Sequence, residues 1–453
     1  MASMTDAFRL DGSYRRHERV VLAGSPLRLF RLSPAGQRIV EAIEQNVALP
    51  PRHEKLTDRL VDAGAIHPDP TGSRFSAADV TVVVPAFNDL PDELMHGGEV
   101  IVVDDASDPP LQPIVGSRII RLANNRGPGA ARNAGLAEVT TPLVAFVDTD
   151  VDVDDQWLGA LLPHFNDPSV ALVAPRVASA AGTSTLARYE TARSPLDLGG
   201  ESARIAPGTR VSYVPAAALV VRTEMLRSIG GFDEMLRTGE DVDMVWRLIE
   251  AGYRCRYEPQ IAVHHRPRST IAGFVRQRLA YGRSAAALER KHRGAVAPLR
   301  LSGWSAALWA LVLARRSGAA AIVAVGTMVA LRRKLDDLPA QESVRLAGLG
   351  HLYAGREVAS ALTRVWWPLA VLTALLIPRA RLPLLAAATV PAALDLVHRE
   401  PDSPTQNMGL RYIALRLVDD AAYGAGVWLG ALEQRSIGAL APKFTNWPGR
   451  AAG

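Results

Sequence analysis

The chain has 453 residues, 48% of them hydrophobic and 21% charged, with a formal net charge of +5. Such a length suits about three domains, and the composition is that of a core-forming protein rather than a disordered one. The small charge excess does not imply nucleic acid, and the single cysteine, Cys255, excludes an internal disulfide and a cysteine metal cluster.

One cysteine also fits a reducing, cytosolic setting, and Cys255 within YRCRYEP reads as a packed small residue. The first 30 residues carry Asp11, Arg15, Arg16, Glu18 and Arg19 without a continuous apolar core, so no secretory signal peptide is expected. Residues 1–75 read as a separate module. Val20–Leu22 and Leu27–Leu32 suit short strands. Ser33-Pro34 opens a helix over 35–44, with Ser as cap and Pro at the first helical position. A second helix, 53–63, stops at Gly64. Two strands and two helices in this size suggest a winged-helix-like module. Its cations, Arg52, Lys55 and Arg59, are few and mixed with acids, so a peptide or protein partner, or a structural role, is expected rather than DNA.

Residues 79–295 alternate strand and helix signals, the pattern of an α/β domain with a mainly parallel sheet. Strands are expected at Val80–Val84, Val100–Val103, Ile119–Leu122, Leu143–Val147, Val170–Ala174 and Val211–Val221, the last interrupted by Pro215. Helices are expected at 127–137, 157–165, 225–229 and 242–251. The crossover between Asn88 and Val100 is near the minimum for a parallel pair. Residues 296–453 change character. Apolar runs at 304–314, 318–331, 366–377 and 382–397 alternate with Arg315-Arg316, Arg332-Arg333-Lys334 and Arg379–Arg381. Each run is shorter than the roughly 18–20 residues that cross a bilayer. Flanking Arg and Trp suit a helical region that contacts the membrane, lying on it or spanning it.

Chemistry concentrates at the strand ends, where ligands bind in open α/β sheets. Asp148 and Asp150 follow Leu143–Val147, and two carboxylates at this spacing suit a hard divalent cation such as Mg2+ or Mn2+ holding a diphosphate. Phe87, just beyond Pro85, can stack on a base. Asp104 and Asp105 can accept from a base imide or a ribose hydroxyl, and Arg132 can meet the diphosphate. Asp241, within Gly239-Glu240-Asp241 at a helix start, suits a general base, although acids there also simply complement the helix dipole. His264 or His265 can complete a metal shell. Gly127-Pro128-Gly129-Ala130-Ala131-Arg132 superficially fits a dinucleotide fingerprint, but Arg132 stands where a small residue is needed.

The ordered motifs VTVVVPAFND, VIVVDDASD, NRGPGAARNAG, VAFVDTD, GGFDE and GEDVDMVWRL resemble family 2 inverting glycosyltransferases of the GT-A fold. The resemblance implies Asp105 at the base of a nucleotide sugar with Phe87 beside it, Asp148 and Asp150 as the metal-binding Asp-x-Asp, Asp241 as catalytic base, and His265 ahead of His264 as a further metal ligand. RYETARSPLDLGG and YVPAAALVVR, with both terminal regions, are similar to the mycofactocin-system subfamily. That similarity implies UDP-glucose as donor, a peptide-derived redox cofactor as acceptor and a β-1,4-linked oligoglucose product, made at the cytoplasmic face of the cell membrane. The amino-terminal module would then hold the acceptor. The Gln-x-x-Arg-Trp motif of processive synthases is absent. Rival readings are a rhamnosyl- or mannosyltransferase acting on an envelope glycan or lipid, a non-catalytic peptide- or DNA-binding regulator, and a dinucleotide-dependent oxidoreductase.

Overall fold

The computed structural model describes residues 7–90, 98–397, 405 and 408–445. They form two compact units, Met1–Ala181 with Arg193–Pro267, and Gly182–Ala192 with Arg268–Gly453.

The first unit begins with β1 (Phe8–Leu10), β2 (Arg15–His17), β3 (Val20–Ala23) and β4 (Arg28–Arg31). Helices α1 (Pro34–Glu44) and α2 (Glu54–Asp62) and strand β5 (Ile66–Pro68) follow. Strands β2, β3 and β4 make an antiparallel sheet, and β1 pairs with β5. The Ser33 side chain accepts from the Gly36 N–H at 3.2 Å and caps α1. Val21, Phe30, Ile39, Val40, Leu60 and Ile66 close a small core. The module is bonded to the rest of the unit by charge pairs. Arg254 meets Asp58 at 2.9 Å and Asp62 at 2.8 Å, Arg9 meets Glu258 at 2.9 Å, and Arg210 meets Asp11 at 3.0 Å.

The α/β part runs β6 (Val80–Ala86), β7 (Glu99–Asp104), β8 (Ser117–Arg121), α3 (Pro128–Glu138), β9 (Leu143–Val147), β10 (Val151–Asp152), α4 (Trp157–Leu161) and β11 (Val170–Ser179). The chain passes to the second unit for α5 (Thr185–Arg193). It returns for β12 (Ala203–Arg204), β13 (Ala218–Arg222), α6 (Thr223–Ser228), α7 (Glu240–Glu250) and β14 (Arg254–His265). The sheet order is β10-β14-β11-β13-β9-β6-β7-β8, with β12 on β14. Strands β6, β7, β8 and β9 are parallel neighbours, as are β11 and β14. Strand β13, however, runs antiparallel between β9 and β11, and β10 and β12 pair antiparallel with β14. The sheet is therefore mixed, not mainly parallel. The strand expected over 211–221 is confined to Ala218–Arg222, and Pro215, without an N–H, lies in the preceding loop. The helix expected over 157–165 is α4 followed by a 3-10 turn at Leu162–Asn166, where Pro163 interrupts it. The short crossover expected between Asn88 and Val100 falls largely on 91–97, outside the described residues.

The second unit contains α8 (Ile271–Lys291), β15 (Arg300–Leu301), α9 (Gly303–Leu313), α10 (Ser317–Lys334), α11 (Ala340–Arg364), α12 (Trp367–Leu376), α13 (Arg381–Val397), α14 (Leu410–Glu433) and β16 (Lys443–Phe444). The catalytic domain was expected to run to residue 295, which would place α8 inside it. Instead α8 packs along α14 through glycines: a Cβ at Gly282 would lie 1.9 Å from the Tyr423 carbonyl oxygen. Buried Arg278 fastens the group, bonding Glu190 of α5 at 2.8 Å and Asp419 of α14 at 3.0 Å. A membrane role for this unit depends on the surfaces of α12 and α13 described below.

Candidate active site

One edge of the sheet collects the chemistry. Strands β6, β7, β9, β11 and β14 all end there, and antiparallel β13 begins there, with Ala218 opposite Val147 and Ser179 opposite His265. The Asp148 N–H donates to the Ala217 carbonyl at 2.9 Å, so the Asp-Thr-Asp turn lies against the start of β13. Arg266 fixes the far side, its N–H donating to the Asp150 carbonyl at 2.9 Å and its Nη2 to the Thr149 carbonyl at 3.0 Å.

Two motifs distant in sequence meet through Asn133. Its Nδ2 donates to the Phe232 carbonyl at 2.9 Å, and its Oδ1 accepts from the Phe232 N–H at 2.8 Å. This ties the GGFDE segment to α3 and carries α7 to the edge. Gly239 precedes α7 at φ +84°, a left-handed conformation that a side chain would strain. The next turn presents Glu240 and Asp241. The Asp241 Oδ2 accepts from the Ala216 N–H at 3.3 Å and its Oδ1 from the Val242 N–H at 2.8 Å.

Arg132 is the hub. Its guanidinium is buried, with Nη1 on Glu240 at 2.7 Å, Nη2 on Asp148 at 2.7 Å, and its face 5.5 Å from the centre of the Phe232 ring. Burial works against its charge, but the carboxylates of Asp148 and Glu240 outweigh this and hold its pKa above the ordinary arginine value. In this structure the Arg132 guanidinium is directed to these two acids, and its Nε has no hydrogen-bond partner among the described residues. Burial, with Asp150 close by, raises the Asp148 carboxyl despite Arg132. Burial and the charge of Glu240 push Asp241 up to about 7, with Arg132 and two backbone N–H donors opposing.

Asp104 is fully buried, and its oxygens accept from the Ser107 N–H at 2.8 Å, the Leu111 N–H at 3.3 Å and Arg121 at 2.5 Å. These bonds shape the loop after β7. Asp105 accepts from the N–H groups of Arg126 at 2.8 Å and Gly127 at 2.7 Å, fixing the turn into α3; each of its oxygens keeps a second lone pair. Phe87 is 50% exposed just past β6, an apolar face open to a ligand, and half-buried Pro85 lies in β6 beside Val103.

His265 is buried, with Nε2 3.1 Å from the Asp150 carboxylate, whereas His264 is exposed. Among the described residues no group of three or more His, Cys, Asp or Glu side chains is positioned to hold a metal ion. Asp150 and His265 do adjoin, and Asp148, on the same turn, is turned to Arg132. Two carboxylates and an imidazole fit Mg2+ or Mn2+ chemically, once Asp148 shares its oxygens between Arg132 and the ion.

Glu240 and Arg266 join the site without having been assigned a part in it from sequence. Each was signalled only by adjacency, Glu240 to Asp241 and Arg266 to His265. A carboxylate accepts a proton only when ionised, so the expectation of Asp241 as base, with its pKa of about 7, predicts an acidic limb in kcat/KM. Activity should be level above neutrality and fall tenfold per pH unit below it. A limb near the ordinary carboxylate value of 3.8 would contradict this environment for Asp241.

Compared with known proteins, residues 97–229 match the family described as "Glycosyl transferase family 2". A Mycobacterium tuberculosis protein named "Pre-mycofactocin glycosyltransferase" is 41% identical over 447 residues, covering 94% of each chain. "Succinoglycan biosynthesis protein ExoO" of Rhizobium meliloti is 27% identical over 234 residues, 44% of this chain and 64% of its own. Among solved structures, the mannosyltransferase PcManGT from Pyrobaculum calidifontis, in complex with GDP-Man and Mn2+, is 18% identical with a TM-score of 0.35, over 62% of this chain and 91% of that one.

Proposed function

Because the chain belongs to glycosyltransferase family 2 and is a glycosyltransferase with a GT-A-like α/β core, we propose that it is a metal-dependent inverting enzyme. It takes glucose from UDP-glucose and builds a β-1,4-linked oligoglucose tail on a peptide-derived redox cofactor. The name of the M. tuberculosis relative supports the acceptor. The observation that carries the mechanism is Asp241, held at the start of α7 with its pKa near neutrality beside the Asp148–Asp150 turn.

In this reading the uracil lies against Phe87, near Pro85, with Asp105 supporting the turn below it. Asp148, Asp150 and His265 would hold Mg2+ or Mn2+, with His264 the alternate imidazole, and the ion would supply positive charge to the leaving diphosphate. Asp241 accepts the proton of the acceptor hydroxyl as that oxygen attacks the anomeric carbon from the face opposite the diphosphate, which inverts the centre. Arg132 keeps Asp148 and Glu240 in place, and Glu240 keeps Asp241 basic. The amino-terminal module holds the peptide-derived part of the acceptor or a peptide partner, and the helical unit rests on the cytoplasmic face of the membrane. One stretch, Pro378–Val397, is long and apolar enough to support membrane contact.

Incubation with UDP-glucose, Mn2+ and the peptide-derived acceptor should add hexose units, detected by mass spectrometry, with β linkage by NMR. Transfer from GDP-mannose or dTDP-rhamnose in preference, or an α linkage, would overturn the reading. His265→Ala should weaken metal-dependent donor binding by about 10–100-fold, as losses at metal sites do. The same change at exposed His264 should cost less than a few-fold. Equal effects at the two positions would contradict the ligand assignment.

A further inference from the structure

Helix α12 has no buried residue. Its Leu369, Val371, Leu372, Leu375 and Leu376 are each at least 50% exposed, and at 3.6 residues per turn they share one side of the helix. An exposed apolar face of this kind marks a contact with an apolar surrounding. On α13 only Ala392 is buried, while Leu382, Leu385, Val390, Leu394 and Val397 are exposed. The two helices are joined at Pro378–Ala380. From Val365 to Leu394 the sequence has no carboxylate, and its charges are Arg379 and Arg381, both exposed at the turn. Trp366 and Trp367 stand at the other end of α12.

Pro378–Val397, with 20 residues, is long and apolar enough by itself to cross a membrane, but the placement of its charges and the length of its neighbour favour lying in the surface. Helix α12 has 10 residues, about 15 Å at 1.5 Å per residue, half of a hydrocarbon core of about 30 Å. It leaves α11 at a bend of 86°, so the two do not make one straight span. In α13 the stretch between Arg381 and Asp395 is 13 residues, about 20 Å. Asp395 is then held at the body of the unit by Arg356 at 2.8 Å and by Arg416. A partly exposed ion pair at one end and exposed arginines at the other put polar groups closer together than the membrane is thick.

We infer that the α12–α13 hairpin is an in-plane anchor, sunk into one leaflet of an anionic lipid surface, with Arg379 and Arg381 on the phosphates, while Trp366 and Trp367, whose indole N–H groups donate to the Leu440 and Ala421 carbonyls, fasten α12 to the protein. The inference rests on the membrane reading above and specifies its helices, its depth and the charge of the lipid. It makes no use of the donor site.

The test is flotation of the full chain, added without detergent to preformed vesicles of phosphatidylcholine alone or with three-tenths phosphatidylglycerol. The chain should bind the anionic vesicles and bind the neutral ones at least tenfold less at low salt. Arg379→Gln with Arg381→Gln should lower anionic binding roughly tenfold or more, since each arginine near the surface is worth about fivefold. Leu372→Asp with Leu376→Asp should abolish binding to both. Calorimetric UDP-glucose affinity of these variants should equal that of the parent, which shows that they fold and separates failure of the anchor from failure of the donor assignment. Equal binding to both vesicle types, no binding of the parent, or binding only after detergent-mediated reconstitution would overturn the in-plane anchor.

Discussion

Asp241→Asn is expected to lower turnover by roughly a hundred- to ten-thousand-fold, the range for loss of a positioned general base. The donor dissociation constant should change by less than a few-fold. Asparagine has nearly the same shape, and its one side-chain oxygen can still accept from the Val242 N–H, the shorter of the two bonds that now hold Asp241, while the longer bond from the Ala216 N–H is lost to the amide NH2. What it loses is proton affinity. The pKa of about 7 arises from burial and Glu240, so the native base is half-ionised near neutrality and takes up a proton readily. Single-turnover rates at saturating donor, with donor binding by calorimetry, separate the two quantities. A variant that binds no donor would show that Asp241 serves the nucleotide sugar instead.

Arg132→Met is expected to have the largest effect on stability, about 3–5 kcal/mol, because it strips the cation from two acids in a water-poor setting. The Arg132 and Glu240 side chains are 4% and 8% exposed, so solvent does little to replace the lost partner; Asp148, at 31%, is better hydrated and contributes less. The loss should be greatest at and above neutral pH. It should shrink on acidification, since protonating Asp148, whose carboxyl burial already raises, removes part of the unpaired charge. Arg132→Lys should recover only part, because one ammonium cannot bridge both acids in the same fork. Urea denaturation across pH measures this. A loss under about 1 kcal/mol at pH 8 would contradict a structural role for the bridge.

How much of this was legible follows from the range of each interaction. Strands β6, β7 and β9 were readable because VTVVV, VIVV and LVAFV are continuous apolar runs ended by Pro or Asp, as expected of strands buried on both faces. The carboxylates at their ends were readable for the same reason. Strand direction was not. Nothing within ALVVR distinguishes a parallel from an antiparallel neighbour, and β13 reverses because of the excursion through α5 and the 194–217 loop. The extent of β14 was hidden by Pro259, which an irregularity in its pairing with β11 accommodates between Pro175 and Arg176. The role of Arg132 was legible as a cation at a helix start, but its direction is set by Glu240, 108 residues away. Likewise the α/β domain read as running to residue 295 until Glu190 and Asp419 were found on Arg278. Local pattern fixed which residues carry chemistry. Long-range pairing decided how they are held: Asp104 by Ser107, Leu111 and Arg121, and Asp148 by Arg132.

The most direct test of the metal-dependent donor site is calorimetric titration of the full chain with UDP-glucose, in Mn2+ and again with chelator, beside GDP-mannose, dTDP-rhamnose and NAD. The site assigned to Asp148, Asp150 and His265 predicts binding of UDP-glucose in Mn2+ that chelator abolishes and that the other ligands do not reproduce. Binding unaffected by chelator, or preferential binding of another donor or of NAD, would contradict it.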